Sequence, residues 1–468
     1  MTSLQAPSAP ALSVSIAAMG APVSRGDTRS IAWRLEQLDR LQALLDAAAQ
    51  PLLEALALDL NKPPVEAAYE LIGVTQELKY ARRHLRRWMR PTPIGLPVWA
   101  WPGSARLRPE PLGCVLIIGP WNYPFQLCLI PLVSALAAGN TAVLKPSEHT
   151  PHTAALIHRL VQQHFPPETV KVVEGDGAIA AELLREHFDH IFFTGGARVG
   201  RLVLAAAAPH LTPVTLELGG KSPAIVLEDA DIATTARRLA WGKGLNAGQT
   251  CIAPDHLLVT PGQREPLVAA IAAAWRQFYG ADPLASEDLT SLVNTAQFER
   301  LEALLAGAWE RGQVLVGGRS DRARRRIEPT LLAVEDPDRD PLMQEELFGP
   351  LLPVIVVANL EEALARVRRG SKPLTIYLYG GGRQAREQLL DQTSSGSVCF
   401  NDVVLHGGLP QLPFGGVGES GMGTYHGEAG FLTFSHRRSV LQRSFGLDLP
   451  IRYPPYAGKL DLIRRLLG

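Results

Sequence analysis

Residues 113–145 read GCVLIIGPWNYPFQLCLIPLVSALAAGNTAVLK, and their pattern decides the fold. Residues 114–119 form a short apolar run, 132–138 have helical spacing, and 140–144 form a second apolar run. Runs this short, bounded by Gly, Pro and Asn, suit strands buried on both faces. The alternation continues outward. Helices are predicted over 153–165, 179–187 and 199–208, and strands over 170–174, 190–194 and 214–218. Strands of about five residues alternating with helices of about ten are the signature of βαβ units in a parallel sheet. Right-handed crossovers make it an open doubly wound α/β sheet.

Such a sheet takes ligands at the carboxyl ends of its strands. The polar segments there are PWNYP (120–124), KPSE (145–148), EGDG (174–177) and FTGGARVG (193–200). The turn containing Gly195 and Gly200 follows a strand and opens a helix, whose free N–H groups and positive dipole end suit a phosphate. An ordinary tight turn is the other reading. It is not a P-loop, because Arg201 and Leu202 stand where Lys and Ser/Thr are required. A literal GxGxxG at 416–421 has no strand before it and no helix after it, and reads as turn glycines. Lys145 and Glu148 sit past the second strand, either as contacts to a ribose or as a surface ion pair. Glu217 sits on the fifth strand among apolar neighbours, where a carboxylate is either paired or raised in pKa, as a general base needs. Glu346, in QEELFGP, is a second candidate carboxylate. Asn122 is either a turn residue or an amide donor to a developing oxyanion.

A second α/β region spans about 219–396, with helices near 233–243, 265–278, 295–311 and 360–368. Its strands fall near 224–227, 256–260, 352–357 and 375–379. Within it, KGLNAGQTCIAP (243–254) sets Cys251 among small and amide residues, so backbone N–H groups can approach the sulfur. Cys114 and Cys128 lie in apolar runs and read as packing. Before the first sheet, the pattern predicts a loose tail over 1–24, a helix from Thr28, a second helix starting at Pro51 and a third over 65–89. The basic runs at 82–90 and 322–326 read as a solvated helix face and an exposed loop. The chain is Gly-rich and irregular from 401 to about 430, and LDLIRRLL near the end reads as a short amphipathic helix.

The 468 residues carry 46 Lys+Arg and 46 Asp+Glu, so no net charge draws the chain to nucleic acid or anionic lipid. Four cysteines without a CxxC pair point to a reducing, cytoplasmic setting. No stretch reads as a membrane span or a secretory signal, and no ligand cluster reads as a metal site.

PWNYPFQL, AAGNTAVLKPSE, FFTGG, LELGGKSP, NAGQTCIAPD, EELFGP and LPFGGVGESGMG stand in an order that resembles the aldehyde dehydrogenase superfamily over about 31–440. The tight turn at 195–200 and GMGTYHGEAGFLTFSHRRSVL resemble its class 3 branch, which handles aromatic and fatty aldehydes. The resemblance implies a Rossmann-like cofactor domain (112–216) and a catalytic domain (217–400), preceded by N-terminal helices (1–89). It also implies a bridging β arm (90–111), an oligomerisation segment (401–440) and a tail (441–468). It makes Cys251 the nucleophile, Glu217 the base and Asn122 the oxyanion donor. Lys145, Glu148, Gly195, Gly200, Glu346 and Phe348 would hold NAD or NADP, and Tyr123, Trp241 and Tyr69 would line the substrate channel. The implied assembly is a homodimer acting on a small-molecule aldehyde.

Overall fold

The structure is a computed structural model and describes residues 9–467. Two sheets dominate it. The first has six strands, in spatial order Gly421–Met422, Val214–Glu217, His190–Thr194, Cys114–Ile118, Thr141–Lys145 and Val170–Val172. All neighbours are parallel except Gly421–Met422, which pairs antiparallel with Val214–Glu217. Cys114–Ile118, Thr141–Lys145 and His190–Thr194 are buried almost throughout, which is why they read as unbroken apolar runs. The strand order reverses between Cys114–Ile118 and His190–Thr194, so a crevice opens where their following loops diverge.

The second sheet has seven strands, in order Val314–Val316, Thr330–Ala333, Leu351–Val356, His256–Val259, Pro223–Val226, Thr375–Tyr379 and Ser397–Phe400. Only the Val314–Val316 edge is antiparallel. The chain crosses between the sheets in the short link from Glu217 to Pro223. A third, antiparallel sheet joins Thr92–Ile94, Gly103–Pro111 and Ser435–Arg443.

Three expectations are corrected. Ile31–Leu60 is one helix with Pro51 inside it, not two. Proline removes one backbone donor there, but Leu44, Leu45, Leu52 and Leu56 keep one buried face continuous across it. Ala9–Arg25 is a helix rather than a loose tail; Ile16, Met19 and Val23 are buried, and Thr141 Oγ1 donates to Met19 O at 2.9 Å. The rest of that predicted tail lies outside the described residues. Arg326 is not exposed: it sits in the hairpin of Ser320–Asp321 and Arg326–Ile327 and donates Nη1 to Leu284 O and Ser286 O at 2.8 Å each.

Ile31–Leu60 is long and apolar enough by composition to cross a bilayer. Its Leu38, Leu41, Leu45, Leu52 and Leu56 instead join a core with Pro64–Trp88, Gln126–Ala138 and Pro151–His164. The literal GxGxxG at 416–421 is a turn, yet it ends on the strand that pairs with Glu217.

Candidate active site

The loops that follow strands of the first sheet meet the loops that precede strands of the second. Asn122 follows Cys114–Ile118, Lys145 ends Thr141–Lys145, Gly195 follows His190–Thr194, and Glu217 ends Val214–Glu217. From the other side, Cys251 precedes His256–Val259, Gly219 and Gly220 precede Pro223–Val226, and Glu346 and Phe348 precede Leu351–Val356.

Cys251 lies in a locked loop. Asn246 and Ala247 both have φ 51° and Gly248 has φ 74°. Left-handed backbone is common for Asn and Gly and strained for Ala. Buried Gln249 holds the bend: its Nε2 donates to Asn246 O (3.0 Å) and Ser291 O (3.1 Å), and its Oε1 accepts from Val293 N–H (3.0 Å). Thr250 Oγ1 lies 2.7 Å from the Tyr123 hydroxyl, and Tyr377 donates its hydroxyl to Ile252 O at 2.5 Å.

Burial pushes the Cys251 thiol up to about 12, and the charges of Glu346 and Glu217 add to the rise. The N–H groups of Cys251 and Ile252 bond the sulfur and pull the other way. The resting Cys251 sulfur is therefore a thiol. Glu217 is 3% exposed, neither carboxylate oxygen has a hydrogen-bond partner, and burial raises its pKa well above the carboxylate range. Glu346 is pushed to about 8, first by burial and then by the charge of Asp255, against a bond from Gly220 N–H. Its segment is clamped by Asp255, whose Oδ1 accepts from Leu347 N–H (2.8 Å) while Oδ2 takes Lys221 Nζ (2.5 Å).

Asn122 donates its Nδ2 to Gln249 O at 3.1 Å, two residues from the thiol. One of its two amide hydrogens is used there. The structure thus brings together Cys251, Glu217, Glu346, Asn122 and Tyr123. Phe348, at φ 48°, stacks edge-on against Trp121 with ring centroids 5.3 Å apart. Trp241 is half-buried in the second sheet's core, and Tyr69 is exposed on Pro64–Trp88.

The groups expected at a dinucleotide stand around the same crevice. Lys145 Nζ donates to Glu148 Oε2 at 2.8 Å. Ala197–Ala207 starts at Gly196 without a side-chain cap, and a Cβ added to Gly196 would meet nothing within 4 Å. Cβ atoms added at Gly195 and Gly200 would press on Phe193 (2.5 Å) and Leu218 (3.0 Å), so these two glycines pack the turn. At Gly219 an added Cβ would fall 2.1 Å from Glu346 Oε2.

Sequence reasoning missed Lys62, Glu66 and Glu70, which bond these loops from below. Lys62 between Asn61 and Pro63, and two glutamates at helical spacing, look like solvated polar residues until tertiary contacts are known.

Residues 11–440 match the Aldehyde dehydrogenase family. The chain is 46% identical to human aldehyde dehydrogenase family 3 member B1, covering 92% of each chain. It is 42% identical to 4,4'-diaponeurosporen-aldehyde dehydrogenase of Staphylococcus aureus, covering 93% of this chain and 95% of the relative. A solved structure of Staphylococcus aureus AldH in a substrate-bound state superposes with a TM-score of 0.93 at 40% identity, covering 97% of this chain and 99% of that one.

Proposed function

The chain belongs to the aldehyde dehydrogenase family and is an oxidoreductase that acts on aldehydes with NAD or NADP; from that premise we propose that its substrate is hydrophobic, aromatic or of medium to long aliphatic chain. The observation that carries the reading is the Cys251 thiol held in reach of the Glu217 and Glu346 charges, with the Asn122 amide bonded two residues away. Cys251, Trp121 and Val404 are partly buried against one apolar core, which supports an apolar substrate.

In this reading Glu217, once ionised, takes the thiol proton, directly or through water, and the sulfur adds to the aldehyde carbon. The carbonyl electrons move to oxygen, where the Asn122 Nδ2–H and the Cys251 N–H stabilise the anion. The dinucleotide, when bound, supplies the acceptor for the hydride that leaves the tetrahedral carbon. A thioester remains on Cys251. Glu217 gives the thiol proton up to solvent and then takes a proton from water; the water oxygen attacks the thioester, and the sulfur leaves and regains that proton. Lys145, Glu148 and the uncapped start of Ala197–Ala207 suit a ribose and a diphosphate, while Glu346 and Phe348 suit the nicotinamide end. Tyr123, Trp241 and Tyr69 are the proposed channel.

NADH or NADPH formation with benzaldehyde, coniferyl aldehyde and decanal tests the substrate class. Cys251→Ala is expected to lower turnover by about 10⁴-fold or more. Retained turnover would sink the covalent route. A homodimer is supported by the exposed Val98, Trp99 and Trp101 beside the antiparallel sheet, and sedimentation equilibrium would test it. The balanced charge and unpaired cysteines support a cytoplasmic setting, which cell fractionation would test.

A further inference from the structure

Beneath the cleft, one helix reaches both loops that the chemistry uses. Lys62, just before Pro64–Trp88, and Glu70, in its second turn, form an ion pair at 2.7 Å with neither side chain exposed. Burying two charges is unfavourable unless further hydrogen bonds complete them, and such pairs often give way to apolar residues without loss of stability. Here every additional bond goes to the same turn. Lys62 Nζ donates to the main-chain oxygen of Asn122 at 3.1 Å and lies 4.4 Å from the centroid of the Tyr123 ring. Glu70 Oε2 accepts the N–H groups of Phe125 (3.0 Å) and Gln126 (3.1 Å), at the start of Gln126–Ala138.

The same helix grips the opposing loop. Glu66, one turn before Glu70, accepts the Asn246 N–H at 2.9 Å and the Thr290 hydroxyl at 3.1 Å. Asn246 Nδ2 then bonds Asn122 O (2.9 Å) and Gln249 O (3.1 Å), so the two loops share acceptors. The side chain of Asn122 is anchored to Gln249 O, and its main chain is anchored to Lys62. A displacement of this turn would move the amide relative to the sulfur, and an error of about 1 Å at a reacting centre can cost about 10²-fold in rate.

We propose that Lys62 and Glu70 are positioning residues: as a buried pair they fix the Asn122 turn so that its amide stands at the oxyanion of the Cys251 adduct. This rests on the role of Asn122 given above. The Glu66 contact makes the first two turns of Pro64–Trp88 the common support of both loops.

The test is steady-state kinetics with decanal and NAD, together with thermal unfolding, on Lys62→Met and Lys62→Met/Glu70→Gln, each with and without Asn122→Ala. Lys62→Met is expected to lower kcat about 10- to 100-fold, leaving the KM for NAD within about twofold. In the Asn122→Ala background the same change should lower kcat by less than about twofold, because the group being positioned is already gone. The charge-neutral double variant should regain the Tm lost by Lys62→Met, but not its kcat. Equal factors in both backgrounds, or kcat returning with Tm, would overturn the inference and leave the aldehyde reading intact. Full activity in Asn122→Ala, or a wild type inactive on every aldehyde, would overturn the reading and the inference with it.

Discussion

The parallel strands of the six-stranded sheet present their carboxyl ends to the cleft, whereas those of the seven-stranded sheet present their amino ends. The difference goes beyond direction. At the carboxyl ends the chain turns into helices, and the beginning of Ala197–Ala207 offers N–H groups to an anion without further construction. Among the described residues, no long helix begins in the loops that carry Gly219, Cys251 and Glu346 at the amino ends. There the backbone is bent into left-handed positions at Asn246, Ala247, Gly248 and Phe348, and buried side chains hold it: Gln249 for the cysteine loop, Asp255 for the glutamate loop. Strain of this kind persists only where surrounding structure over-determines it. One sheet thus offers an anion-ready helix start by its regular geometry, and the other holds Cys251 in loops that must be locked.

Glu217 is where the two sides meet, so replacing it should have a larger effect than any change at the glycines bordering the crevice. Glu217→Gln is expected to lower steady-state turnover by about 10²- to 10⁴-fold. Only the ionised carboxylate accepts a proton, and its pKa is raised, so the wild-type rate should climb with pH through that raised value. A pH profile of kcat that keeps the same rising limb in the variant would remove Glu217 as base.

A smaller effect separates two glycines that border the crevice. At Gly219 an added Cβ collides with the Glu346 carboxylate, while at Gly196 it enters open space. Gly219→Ala should raise the KM for the dinucleotide about tenfold, and Gly196→Ala by less than about twofold. Equal shifts would mean that Glu346 does not shape that end of the site.

The smallest effect is on stability. Glu346 binds its proton more tightly when folded than when unfolded, up to about 8. Between the ordinary carboxylate value and about 8 the folded state holds more protons, so stability falls as pH rises through that window. Glu346→Gln should flatten the decline, by about 1–3 °C in Tm between pH 5 and 8.5. An unaltered slope by calorimetry would mean that other groups cause it.

The contrast also explains what the sequence could reveal. Strands such as His190–Thr194 are buried by helices on both faces, so they stand out as apolar runs of fixed length. The edge strands Val314–Val316 and Ser397–Phe400 are only partly buried and left no such trace. The residues proposed for the chemistry stand out through ordered motifs, since Cys251, Glu217 and Asn122 each sit in a distinctive local context. Lys62, Glu66 and Glu70 were not, because their roles exist only through contacts far away in the chain. Composition misled at residues 9–25 and at Arg326 for the same reason: packing against distant segments overrode a polar or Pro-containing local pattern.

A thiol raised to about 12 has a consequence for the life of the enzyme between turnovers. Oxidants such as hydrogen peroxide attack thiolates, and at neutral pH only about one sulfur in 10⁵ would be in that form. The idle protein should therefore resist conversion to sulfenic acid, and become vulnerable only in the interval after a base has taken the proton and before the sulfur adds to an aldehyde.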